Sequence, residues 1–235
     1  MQDRSYRTVQ KHWGEILGCD PSMVLSPGIM VTAWERDAVE FLIWEKGGII
    51  GAPPTITETL DDYNLELSYD LSIEDVSQLM DPIGEIDDIL GPQFVGYCDK
   101  TTFKPTDSKA QSVAPETLQS LQNACSESEW NQSGIQLNDT QRPTFAVLED
   151  ERPIAGSQII SAHGVAGLAL ITHPEFRDQG HGKSAAVKAI NVAYEQNLLP
   201  EYRTLECWES SIAVANGLGF EQVARSILVK LEEVY

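Results

Sequence analysis

Thr172-His173-Pro174-Glu175-Phe176-Arg177-Asp178-Gln179-Gly180-His181-Gly182-Lys183-Ser184 lies between a continuous apolar run, Val165 to Ile171 (VAGLALI), and a strongly helical one, Ala185 to Tyr194 (AAVKAINVAY). An apolar run without alternation reads as a central strand buried on both faces. The segment is therefore a strand, a glycine-containing turn and a helix N-terminus in succession. Such a succession makes an anion site, because the first helical N–H groups lack partners within the helix and the aligned peptide dipoles add about half a positive charge there. Gly180 and Gly182 remove side chains that would hold a phosphate away from the backbone, and Lys183 and Ser184 supplement the cradle. A G-x-x-x-x-G-K-S phosphate loop requires glycine at position 177, where Arg177 stands. A dinucleotide fingerprint would put its third glycine at 185, where Ala185 is a tolerated variant, so a nucleotide-binding reading stays open.

Upstream, Thr144 to Leu148 and Ile154 to Ser161 flank the turn Glu149-Asp150-Glu151-Arg152-Pro153 and read as a hairpin feeding the central strand. Pro115 to Ala124 and Ser126 to Gln132 read as helices, the second ending at Gly134. Downstream come a strand over Arg203 to Trp208, a helix over Ser211 to Leu218 and a last strand over Gln222 to Leu231. Asp99 to Pro115 (DKTTFKPTDSKAQSVAP) is polar, carries two prolines and reads as a linker, which places a boundary near residue 110. The resulting domains are 1–110 and 111–235. The first half gives a helix over Thr8 to Leu17, strands at Gly28 to Thr32 and Ala38 to Trp44, and a hairpin into Ile49-Ile50. Helices follow over Ile56 to Leu60 and Ile73 to Met80, the latter with Ser72 and Asp75 spaced as a capping box, then a strand at Phe94 to Tyr97. No chemical motif stands out in this half.

Arg177-Asp178-Gln179-Gly180-His181-Gly182 fits R-x-x-G-x-G after a buried strand, and Ser211-Ile212-Ala213-Val214-Ala215-Asn216-Gly217-Leu218-Gly219-Phe220 fits a late helix closing in Leu-Gly-Phe. In this order and spacing the two resemble the GNAT superfamily of acyl-CoA-dependent N-acyltransferases, over roughly residues 115 to 235. The resemblance implies an α/β (α+β) fold with a GNAT-like mixed sheet flanked by helices in the C-terminal half. Beside it stands a smaller α+β N-terminal domain, either an accessory that shapes the acceptor pocket or a degenerate copy of the same fold. It also implies acetyl-CoA as the acyl donor and a primary amine, on a small molecule or a peptide, as the acceptor, with no metal. The donor would lie along Ile171, Thr172 and His173, where the fourth strand splays from the fifth, and on the loop from Arg177 to Ser184, with Ser211 as a further contact. Ala215 occupies the position where many members carry a general-acid tyrosine, and Trp208 that of the usual asparagine. The late helix matches a branch of the superfamily with Ser-Ile-Ala-x-Ala. Tyr194 or Tyr202 is then a substitute acid, and Glu206 and, second, His163 are the candidate bases. The alternative of another class is a non-catalytic acyl-CoA-binding sensor or interaction module.

Composition bounds the partners. With 16 Lys+Arg against 36 Asp+Glu the chain carries a formal net charge of −20. Nucleic acid and anionic membrane both require a basic patch, and neither is an expected partner. The acidity itself reads either as attraction for cationic ligands or as hydration suited to a salty cytoplasm. Cys19, Cys98, Cys125 and Cys207 form no C-x-x-C pair. The N-terminal stretch lacks a signal-peptide core, and the expected location is cytoplasmic.

Overall fold

The computed structural model describes residues 1–62 and 67–232. In chain order its principal elements are α1 (Asp3–Leu17), β1 (Gly28–Ala33), β2 (Ala38–Trp44), β3 (Gly47–Ala52), α2 (Pro54–Asp62), α3 (Ile73–Met80), β4 (Ile86–Tyr97) and β5 (Gln111–Val113). They continue with α4 (Gln119–Ala124), α5 (Glu127–Ser133), β6 (Thr144–Glu149), β7 (Arg152–Ala162), β8 (Val165–Thr172), α6 (His181–Glu195), β9 (Leu199–Leu205), α7 (Glu209–Leu218) and β10 (Glu221–Leu231). The fold is mixed α/β, a large mixed sheet flanked by helices, as the apolar runs and glycine turns foretell.

The chain forms two compact units, and neither is continuous. One comprises Gln2–Gly96, Arg203–Ile212 and Gln222–Tyr235, the other Met1, Tyr97–Tyr202 and Ala213–Glu221. The expected division at residue 110 is thus displaced to 96/97, and the chain crosses back twice. The physical reason is that Asp99 to Pro115 is no linker: Lys104 N–H bonds the Leu218 carbonyl at 2.9 Å, and Lys109 N–H bonds Ser184 Oγ at 2.8 Å. A polar, proline-bearing sequence fits a solvent-facing strap as well as a tether.

In the N-terminal unit the strand order is β1-β3-β2-β10-β4. The β2–β3 hairpin and the antiparallel β10 place Val39, Phe41, Ile43, Ile227 and Val229 on one face, against Leu60, Val76 and Met80 of the helices. Ser72 and Asp75 cap α3 as foreseen, with Asp75 N–H to Ser72 Oγ at 3.1 Å and Ser72 N–H to Asp75 Oδ2 at 2.9 Å.

In the loop-bearing unit the order is β9-β8-β7-β6-β5, a sequential meander except for the α6 crossover that makes β9 parallel to β8. The two units differ in topology, which removes the degenerate-copy expectation. Both faces of β8 are covered: Ala169 and Ile171 pack against Leu118, Leu121 and Trp130, while Ala166 and Leu168 pack toward Ala189 and Ala193 of α6. Strand β9 begins at Leu199, earlier than the expected Arg203, because Asn197 at φ +58° turns the chain directly after α6. Pro200 keeps its place in the ladder by accepting from Cys98 N–H at 3.1 Å.

Candidate functional site

Strand β8 pairs with β7 over all eight of its residues, from Ala162↔Val165 to Ala155↔Thr172, but with β9 only over Val165↔Leu199, Ala166↔Pro200 and Gly167↔Glu201. Beyond Gly167 the two parallel strands part. Because His173 N–H bonds the Ile154 carbonyl at 2.9 Å, alternation turns the backbone groups of odd-numbered residues toward β7 and those of Leu170 and Thr172 toward the open side. Ile171, expected to offer its backbone to a ligand, therefore faces β7, as does His173 N–H, while the His173 carbonyl accepts from Phe176 N–H at 2.9 Å. Thr172 lies on the open edge as expected, and its carbonyl accepts from Arg177 Nε at 3.4 Å. Leu170 was missed; counting alternation back from the hairpin at His163-Gly164 is the signal that finds it.

The open edge leads into the loop. Pro174–Phe176 forms a single helical turn, with His173 Nδ1 accepting from Glu175 N–H at 3.3 Å, and the rings of His173 and His181 stand edge-on to Phe176 at 5.3 and 6.3 Å. Those imidazoles pack the loop. Asp178 at φ +60° and Gly180 at φ +81° turn the chain into α6, whose ladder starts with Ser184 N–H to the Gly180 carbonyl at 3.0 Å. The N–H groups of His181, Gly182 and Lys183 precede that ladder, and no side chain caps them. A Cβ on Gly180 would meet nothing within 4 Å, so the approach to these donors is open. Gly182 serves a different end from the one expected. A Cβ there would stand 2.7 Å from Thr172 Oγ1, so its glycine lets α6 close on β8.

The charged and polar loop residues divide in the same way. Arg177 Nη2 pairs with Glu129 Oε1 at 2.7 Å, and Glu129 Oε2 accepts from Ser126 N–H at 3.0 Å as the cap of α5. Those Ser126 hydrogen bonds, then Arg177, hold the Glu129 carboxyl below its ordinary range. Arg177 is thus neutralised locally. Lys183 reaches toward α7, its Nζ 3.4 Å from where a Cβ on Gly217 would stand. Ser184 accepts from Lys109 N–H through Oγ at 2.8 Å, and its carbonyl accepts from Ser108 Oγ at 2.7 Å, so it ties down the strap. Asp178 and Gln179 are exposed, and Gln179 Nε2 donates to the Glu175 carbonyl at 3.3 Å.

The proposed acid–base residues fare differently. His163 sits at φ +49° in the β7–β8 turn, at the opposite end of β8 from the loop; eight residues at about 3.3 Å each put roughly 26 Å between them. It stands at the end of β8 where the strand still pairs with β9. Glu206 belongs to the N-terminal unit and is held by Arg225, with Nε–Oε1 and Nη2–Oε2 both at 2.7 Å. That hydrogen bonding raises the Arg225 pKa and keeps Glu206 engaged as an acceptor. Ser211 lies in the first turn of α7, also in the N-terminal unit, with its N–H on the Trp208 carbonyl at 2.9 Å. Tyr194 is near the far end of α6 and donates to the Cys98 carbonyl at 3.0 Å; burial, then Cys98, pushes its pKa strongly upward. Tyr202 is buried against Phe220. Neither tyrosine is placed as an acid at the loop. Among the described residues no group of three or more His, Cys, Asp or Glu could hold a metal ion, and no helix is long and apolar enough to cross a membrane.

No family model matches the chain, and none of the curated proteins matches it. Solved structures do. An acetyltransferase of the GNAT family from Colwellia psychrerythraea is 13% identical, with a TM-score of 0.50 over 68% of this chain and 62% of that one. A Drosophila protein, also 13% identical, gives a TM-score of 0.51 over 78% of this chain and 69% of the other. The chain therefore spans less than two thirds of the Colwellia protein. What this likeness establishes is the architecture: a mixed sheet flanked by helices, of the kind seen in GNAT structures.

Proposed function

We propose that the chain is an acyl-CoA-dependent N-acyltransferase that uses acetyl-CoA as donor and a primary amine as acceptor. One observation carries this reading: the edge of β8 is unpaired beyond Gly167 and leads directly to the Gly180-opened N-terminus of α6. A coenzyme A molecule combines a pyrophosphate with an extended arm of two amides. The pyrophosphate suits the N–H groups of His181, Gly182 and Lys183, and the arm suits Leu170 as an added strand. An edge amide would also polarise the thioester carbonyl. The acceptor nitrogen attacks the thioester carbon, the C–N bond forms, the C–S bond breaks with its electron pair leaving on the coenzyme A sulfur as a thiolate, and the nitrogen's proton passes to solvent or a base. Glu206 and His163 are assigned no part.

Calorimetry of the full chain with acetyl-CoA tests the donor site. Micromolar binding is expected, with a loss of at least tenfold in Gly180→Asp, where a residue tolerant of positive φ brings a carboxylate to the donors. No binding, or unchanged binding in the variant, would reject the assignment.

The bidentate hold of Arg225 on Glu206 favours a second reading, an acyl-CoA-binding module without chemistry. Thiol release from acetyl-CoA across a library of amines separates the two: the transferase releases thiol with some acceptors, the module with none.

A further inference from the structure

Glu201 is a carboxylate buried at the point where β8 and β9 part. It stands on β9 opposite Gly167, the last pair of the two strands, and is only 6% exposed. Tyr97, the last residue of β4 and itself fully buried, donates through its hydroxyl to Glu201 Oε1 at 2.5 Å and so fixes the direction of the carboxylate. Register partners point to the same face of a sheet, and a Cβ on Gly167 would stand 3.6 Å from Glu201 Oε2. Because that residue is glycine, β8 lays no side chain over the oxygen. Ile160, the β7 partner of Gly167, is exposed on the same face. Helical cover of that face ends at Gly134, where a Cβ would meet Ala169 at 3.7 Å and Ile160 at 3.9 Å. A carboxylate thus sits at the bottom of an opening with an apolar wall, and at low local dielectric it attracts a cation more strongly than in water.

We propose that Glu201 receives the acceptor as an ammonium ion, so that the acceptor class is a basic aliphatic amine whose carbon stem lies against Ile160. This rests on the acyl-CoA reading of the β8 edge. From Thr172, at the end of β8 that leads to α6, back to Gly167 the strand covers roughly 16 Å at about 3.3 Å per residue. The arm of coenzyme A between pyrophosphate and sulfur has about thirteen bonds, and at about 1.2 Å of extension per bond it spans the same length. A donor anchored at the start of α6 and laid along β8 therefore brings its thioester to Gly167, with Glu201 beside it. Hydroxyls, and amines that are uncharged near neutrality, lack the charge that the carboxylate selects.

Calorimetry of the full chain with two thioethers of coenzyme A tests the subsite. S-(2-aminoethyl)-coenzyme A carries an ammonium just beyond the sulfur, and S-propyl-coenzyme A is its neutral isostere. The unaltered protein is expected to bind the aminoethyl compound at least tenfold more tightly. Glu201→Gln is expected to bind the two within about twofold of each other and to keep its affinity for the propyl compound, which reports an intact fold and donor site. Gly167→Val, which leaves the Tyr97–Glu201 pair in place but covers the carboxylate, is expected to lose the preference as well. Equal binding of the two compounds by the unaltered protein would overturn the subsite and leave the acyl-CoA reading standing. So would a preference that survives Glu201→Gln, since it would then come from the overall charge of −20. Failure of coenzyme A and both thioethers to bind would overturn the acyl-CoA reading and the subsite with it.

Discussion

Gly219 shows how a residue can be legible in type but not in reason. Leu218-Gly219-Phe220 reads as a helix end, and the structure closes α7 with Gly219 at φ +91° and Phe220 N–H on the Ala215 carbonyl at 3.1 Å. The tighter constraint comes from Thr102, more than a hundred positions away, whose carbonyl occupies the space of a side chain. Gly219→Ala is expected to cost about 3 kcal/mol or more in urea unfolding, since neither the backbone angle nor the strap can yield cheaply. A cost below about 1 kcal/mol would show that the strap shifts freely. The same limit applies to Glu206. As a strand-end carboxylate it is a fair candidate base, but its bidentate partner, Arg225, is set by a strand pairing that no local pattern announces.

At the scale of elements, the β8 run, the glycine turn and the α6 helix were readable because each has its own periodicity or punctuation. The length of the β8–β9 pairing was not, since register depends on where β9 starts, and that start is set by Asn197 rather than by an apolar pattern. The capping box on α5 went unread for a similar reason. Ser126 and Glu129 are spaced for it, yet the tie from Glu129 to Arg177 joins segments almost fifty residues apart. That tie has a pH signature. A carboxyl whose folded pKa is lowered contributes stability that is present above its unfolded value, about 4.3, and lost as pH falls through the folded value. Glu129→Gln should therefore lower the unfolding midpoint at pH 6, with the difference shrinking progressively below about pH 4. A difference that persists unchanged at pH 2 would assign the effect to packing.

Across the whole molecule, the charge of −20 is plain in composition. Self-repulsion among the carboxylates is screened at high ionic strength. Raising KCl from 0.05 to 1 M is thus expected to raise the thermal midpoint by several degrees, at roughly 2–4 °C for each kcal/mol screened. A flat or falling midpoint would show the acidity to be well compensated at low salt.

The divided layout of the N-terminal unit has a consequence for biosynthesis. β2 gains its partner β10 through Arg225↔Ile43 to Lys230↔Ala38, so Phe41 and its neighbours emerge from the ribosome nearly two hundred residues before the strand that completes their sheet. At about 5–20 residues per second, that leaves an unfinished apolar edge for roughly ten to forty seconds of translation. The unit made first is the one finished last. A nascent chain stalled before residue 222 should recruit a holdase chaperone, and one released at 231 should shed it.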